Sequence, residues 1–444
     1  MTFYDLAYWT GLGVSAPYWG LQPTTRAKVL RALRERTGEV PARATASHAP
    51  SVLIHAVSLG EVNATRMLVE MLRAARPDLH VVLSTTTDTG FARGKEVYGR
   101  SIGTTVVRFP LDFSKNVDRL LDAVDPDVAV LMELELWPNF MKRCERRGVP
   151  VVLANGRMTT GSFRNYRLGG PFTKRMFRRL AVACAQDQAY AERFRKCGVP
   201  ERRVIVTGTM KFDTAHIADR IDGDRDLAAS VGLRPGTELV WVCGSTGRGE
   251  EPIILGEYRK LLMKFPRLRL VIVPRKPERF DEVEQLIVAA RFRCVRRSKP
   301  IVFWDEPVPS VILGDTMGEL RTFYSLADVV FVGRSLIDLG PRQHGSDMIE
   351  PAALGKACVV GPYTGNFAYP VRRLKGAGAL LEVNDGPGLS EAVSVILSTP
   401  GEARRMGQAG QTAVRFEQGA TGRHAKIVLE ILNKQVGEFQ PPHA

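Results

Sequence analysis

From residue 51 onward, short apolar runs alternate with amphipathic stretches. SVLIHAV (51–57), HVVLSTT (80–86), DVAVLM (127–132), PVVLA (150–154) and VIVTG (204–208) are short and mostly apolar. They read as strands covered on both faces. Between them, 62–75, 113–124 and 188–196 repeat apolar positions at helical spacing. Strand-like runs separated by such helices imply parallel strands joined by crossover connections. The polar, acid-rich stretch 213–236 interrupts this rhythm and ends in Pro235-Gly236, as a linker would. The rhythm restarts with LVWVCG (239–244), LRLVIVP (268–274), VIL (311–313), DVVFVG (328–333) and ACVVG (357–361), and the residues after about 385 read as helices.

The expected architecture is α/β, with two Rossmann-like, doubly wound domains over 49–213 and 237–435, a linker over 214–236, and an N-terminal segment over 1–48. A cleft between the two domains is the default ligand site. The length of 444 residues fits two such cores.

Residues 1–22 are apolar and aromatic but are interrupted by Asp5, by glycines and by Pro17. No run reaches the roughly 18 to 20 apolar residues that a bilayer span needs, and a signal peptide would begin with basic residues. Tyr4, Tyr8, Trp9, Tyr18 and Trp19, followed by Arg26, Lys28, Arg31, Arg34 and Arg36, suggest an anchor at a membrane interface, with rings at headgroup depth and cations on anionic lipid. A helix that merely packs on the protein body is the competing reading.

The formal net charge of +15 asks for an anionic partner. No zinc finger, RNP signature or basic region with heptads is present, so nucleic acid gains no support over an anionic membrane or small molecule. The six cysteines show no C-x-x-C pair and no clustered histidine, which fits buried thiols better than zinc ligands or disulfides.

Ligands of doubly wound sheets sit beyond the carboxyl ends of the strands, so the loops there carry the candidate chemistry. Glu61 follows the first strand and is either a general base or an acidic residue in the first turn of a helix. Glu133 and Glu135 follow an aliphatic run, where unpaired carboxylates are costly. Lys211 lies at the hinge and can reach a phosphate. In the second half, Gly244 and Ser245 form a possible phosphate loop at a strand-to-helix turn. Pro274-Arg275 brings a guanidinium, Met317, Gly318 and Glu319 lie in a small-residue loop that exposes amides, and Asp347 and Glu350 precede a helix, where a carboxylate can hold a ribose diol. A capping or turn role competes at each position. There is no Walker loop, no G-x-G-x-x-G after the first strand and no D-x-D at a cleft loop, so metal-independent chemistry with no cofactor is expected.

Taken together, HAVSLGE (55–61), MELELWPN (132–139), TGTMKFD (207–213), GST (244–246), PRKPERF (274–280), GDTMGEL (314–320) and IEPAALGKACVVGPYTGNF (349–367) resemble the 3-deoxy-D-manno-octulosonic acid (Kdo) transferase family, in the family's order over roughly residues 51–385. The resemblance implies a GT-B fold and inverting transfer of Kdo from a CMP-Kdo donor to a lipid A precursor acceptor, at the cytoplasmic face of the inner membrane. It maps the base to Glu61, transition-state stabilisers to Glu133 and Lys211, and CMP contacts to Pro274, Arg275, Met317, Gly318, Glu319 and the stretch from Asp347 to Glu350. Two blocks depart from the family. Where relatives carry Gly-Gly-His-Asn-x-x-Glu-Pro, Asp347 stands at the usual Asn and His344 is displaced. The usual Gly-Gly-Ser-Leu reads Gly333-Arg334-Ser335-Leu336. Another GT-B transferase with a different nucleotide sugar is the alternative, and a non-catalytic basic binder is a third reading.

Overall fold

The computed structural model describes residues 2–41, 49–300, 310–340 and 343–434. The chain forms two compact units, one built from residues up to Thr214 together with those from Gln418 onward, the other from Ala215–Glu417.

The first unit is built on seven parallel strands, β1 (Ser51–His55), β2 (His80–Thr85), β3 (Thr104–Arg108), β4 (Val128–Met132), β5 (Val151–Gly156), β6 (Leu180–Ala185) and β7 (Val204–Val206), in the order β3-β2-β1-β4-β5-β6-β7. Alternate residues of β1 face opposite layers. Leu53 packs with Phe109, Leu120 and Phe140, whereas Val52 and Ile54 pack with Leu68 and Leu72 of the helix Leu59–Ala75. The second layer is completed from the far end of the sequence: Ala425, Val428, Ile431 and Leu432 of the helix Ala420–Lys434 join the Val52 cluster. Most of the 418–435 stretch, expected in the second domain, therefore belongs to the first unit.

The N-terminal helix Phe3–Gly20 is tied to this unit by polar groups. Buried Asp5 accepts from the Ser114 amide at 2.7 Å and from Asn139 Nδ2 at 3.1 Å, and Asn139 Oδ1 accepts from Thr2 Oγ1 at 2.7 Å. Asp112 caps the helix Pro138–Arg146 through the amides of Asn139 and Phe140 and takes the Tyr8 hydroxyl at 3.0 Å. Phe3, Leu6, Trp9, Val14, Tyr18 and Leu21 remain exposed. Among the described residues no helix is long and apolar enough to cross a membrane.

The second unit repeats the plan with β8 (Leu239–Thr246), β9 (Leu268–Pro274), β10 (Arg293–Arg296), β11 (Ser310–Leu313), β12 (Val329–Val332), β13 (Ala357–Val360) and β14 (Leu380–Glu382), parallel and ordered β10-β11-β9-β8-β12-β13-β14. The stretch read as a linker packs on this unit. It contains the helix Asp224–Ser230, and the Ala218 amide bonds the Ala353 carbonyl at 3.3 Å. All six cysteines are free thiols, and five are buried.

Candidate active site

In the first sheet the strand order reverses between β1 and β4, which pair directly. The connections leaving these two strands turn to opposite sides, which opens a crevice at their carboxyl ends. Glu61 and Glu133 both lie in the segments that leave these strands.

Glu61 occupies the first turn of the helix Leu59–Ala75, where Ser58 is the N-cap. One carboxylate oxygen accepts from the Val57 amide at 2.9 Å and the other from the Ser58 hydroxyl at 2.8 Å. The capping reading is thus realised in the geometry, and it also fixes the direction of the carboxylate. Burial, reinforced by the charge of Glu133, raises the Glu61 pKa above the ordinary glutamate value, against the pull of these two donors.

Glu133 has φ +56, a left-handed conformation that costs a non-glycine residue about 1 kcal/mol or more. The turn is held on both sides: its amide donates to Ala154 O at 2.9 Å and its carbonyl accepts from the Arg157 amide at 3.3 Å. Burial, then Glu61 and Glu133, push the Glu135 carboxyl up to about 7. Three carboxylates therefore share one electrostatic neighbourhood, and the sequence pattern alone assigns the third no role.

Lys211 is half-buried on the loop after β7. Asn155 Oδ1, at the end of β5, accepts from the Met210 amide at 3.2 Å. Arg423 Nε donates to Thr207 O at 2.8 Å, and the Asp213 carboxylate accepts from the Gly419 amide at 2.6 Å. The returning C-terminal helix thus buttresses the lysine loop. His424 on that helix accepts from the Asn155 amide at 2.9 Å through Nε2, and burial lowers its pKa to about 4.

The second sheet reverses between β8 and β12. A cavity of about 790 Å³ is lined there by Thr246, Gly247, Arg248, Arg275, Arg279 and Arg334, among others. Arg275 follows β9 directly, and Pro274 closes that strand opposite Thr246. Gly244 and Ser245 lie one step back, within β8. The Gly244 carbonyl is taken by the Gly333 amide at 2.8 Å, and a Cβ on Gly244 would overlap the Tyr324 hydroxyl, so the glycine serves close packing.

Glu250 organises these loops. Fully buried, it accepts from the amides of Gly247 and Arg334, both at 2.7 Å, Ser335 at 2.8 Å and Leu336 at 2.9 Å. Glu251 next to it takes a bidentate ion pair from Arg279 at 2.6 and 3.0 Å. Neither glutamate was singled out in the sequence, where both resemble ordinary acidic residues of a helix start.

Met317, Gly318 and Glu319 follow β11. Met317 is exposed, Gly318 has φ +90, and Glu319 pairs with Arg297 at 2.9 Å. Asp347 Oδ1 caps the amide of Ile349 at 2.8 Å. Burial, with Asp347 nearby, raises the Glu350 pKa against the opposing charge of Arg321. These five residues do not line the arginine cavity.

The model of the 3-deoxy-D-manno-octulosonic-acid transferase (kdotransferase) family matches residues 31–214. A 3-deoxy-D-manno-octulosonic acid transferase of Haemophilus influenzae is 34% identical over 389 residues, 87% of this chain and 88% of that protein. The chain belongs to the Kdo transferase family. A family member from Bordetella pertussis is 33% identical over 87% of this chain and 89% of its own length. A solved glycosyltransferase from Rickettsia africae has a TM-score of 0.56 at 12% identity, covering 87% of this chain and 99% of its own. At that identity the likeness concerns the fold, which is GT-B. Family membership makes the chain a glycosyltransferase.

Proposed function

We propose that this protein transfers Kdo from CMP-Kdo to a lipid A precursor, with Glu61 as the general base. The observation that carries the role of Glu61 is its position at the reversal point of the first sheet, held by two donors and raised in basicity by burial and by Glu133. An inverting transfer needs one group to remove the proton from the attacking acceptor hydroxyl, and a carboxylate of raised pKa suits that task near neutrality. Lys211 would neutralise charge on the departing CMP phosphate, and Glu133 would stabilise positive character developing on the sugar. Arg275 in the cationic cavity of the second unit would bind the donor phosphate. Pro274, Met317, Gly318, Glu319, Asp347 and Glu350 would shape the remaining nucleotide contacts. The exposed rings of the N-terminal helix and the basic helix Pro23–Glu35 would hold the enzyme on anionic lipid at the cytoplasmic face of the inner membrane.

The departures at Arg334 and Asp347 support a second reading, a different nucleotide sugar on the same fold. Incubation with CMP-Kdo and a tetra-acylated disaccharide acceptor decides between them. CMP release that requires the acceptor, and that CMP inhibits well below the UDP or UMP concentrations needed, is the expected result. Inhibition by uridine nucleotides at equal or lower concentration, with no CMP release, would favour the second reading.

A further inference from the structure

Arg334 has φ +57, a conformation that suits glycine and costs an arginine about 1 kcal/mol or more. The turn itself needs no side chain there, because Glu250 holds it through the backbone amides of 334, 335 and 336. Its neighbour Gly333 shows how tight the turn is: a Cβ there would stand 2.6 Å from Thr246 Cα. The arginine side chain is thus not what holds this turn.

Its side chain is half-buried at the reversal point of the second sheet. Nη2 donates to the Gly345 carbonyl at 2.8 Å, which fixes the guanidinium plane, while Nε has no hydrogen-bond partner among the described residues. Arg334 and Arg275 line the same cavity. Two carboxylates also line it, but Glu282 is engaged by Arg279 at 3.2 Å and Arg248 at 3.6 Å, and Glu278 is exposed at the rim. Burial, and then the charge of Arg275, lowers the Arg334 pKa against the opposing charge of Glu250, so the two cations repel one another across this cavity. An anion between them would convert that repulsion into attraction and give Nε a partner.

We propose that Arg334 is a second anion-binding residue of the donor site, taking an acidic group of the nucleotide sugar together with Arg275. The inference rests on the donor reading given above. A CMP-linked sugar acid carries two such groups, the phosphate and the sugar carboxylate, and either fits a guanidinium fork.

The test is calorimetric titration of the full-length wild type and of Arg334→Gly and Arg334→Lys with cytidine, CMP and CMP-Kdo. Glycine relieves the left-handed strain, so Arg334→Gly should melt no lower than wild type. Its affinity should fall about 10- to 100-fold for an anionic ligand, with cytidine affinity unchanged and partial recovery in Arg334→Lys. An equal loss for CMP and CMP-Kdo assigns the phosphate, and a loss for CMP-Kdo alone assigns the sugar carboxylate. Wild-type affinity of Arg334→Gly for both, or a parallel loss for cytidine, would overturn the inference. Wild-type protein that binds neither CMP nor CMP-Kdo would overturn the donor reading itself.

Discussion

The carboxylates show how far individual residues can be interpreted from sequence. Glu61 and Glu133 stood out because each follows an aliphatic strand at a carboxyl end, where the topology of a doubly wound sheet leads ligands. Glu135 carries the same signal as its neighbour Glu133 but no assignment, and its link to Glu61 appears only when the loop is folded. Glu250 and Glu251 were invisible, since their importance lies in which backbone amides and which arginine they meet. The Glu135 carboxyl, up at about 7 because of burial and its two acidic neighbours, makes a testable contribution to stability. A carboxyl whose pKa rises on folding contributes most below its unfolded value, and that contribution is lost as pH increases through the folded value. Glu135→Gln should therefore raise Tm at about pH 8, by stability on the order of 2 kcal/mol, and change it little near pH 4.5. Equal shifts at both pH values in thermal melts would contradict the coupling.

At the scale of elements, the long β-branched runs were legible and the weaker strands were not. LAVACA of β6 is rich in alanine, TTVVR of β3 begins with two threonines, and RCVR of β10 and LLE of β14 are short edge pieces with charged ends. Such segments become strands because neighbours pair with them, which local pattern does not reveal. The helix Ala420–Lys434 is legible as a helix, whereas its packing on the first unit is not. Its apolar face says that it packs, not on what. The N-terminal helix has the packed underside of the competing reading, built on Asp5 and Tyr8, and it leaves Trp9, Val14 and Tyr18 exposed, the side on which the proposed lipid contact depends. Replacing Trp9 and Tyr18 by serine should weaken flotation with anionic vesicles about 10-fold or more while leaving turnover of a soluble acceptor analogue unchanged. Wild-type binding should also weaken as salt is raised. Flotation that is indifferent to both changes would remove this helix from the membrane role.

At the scale of the molecule, two successive parallel sheets were apparent from the repeated strand-helix rhythm, and the chain's return to its first unit was not. That return matters to the chemistry because Arg423 and His424 brace the loop bearing Lys211 and the strand end bearing Asn155. Each unit thus presents its own chemistry at its own reversal point, acidic residues on the first and arginines on the second. The transfer proposed above would use both, with a proton acceptor for the acceptor hydroxyl and cations for the departing nucleotide. The most direct test is mass analysis of the lipid product after incubation with CMP-Kdo and the tetra-acylated acceptor, for wild type and Glu61→Gln. Wild type should add Kdo, and Glu61→Gln should bind CMP-Kdo normally yet form product about 10²- to 10⁴-fold more slowly. Product formation by Glu61→Gln at the wild-type rate would contradict the assignment of Glu61 as the base.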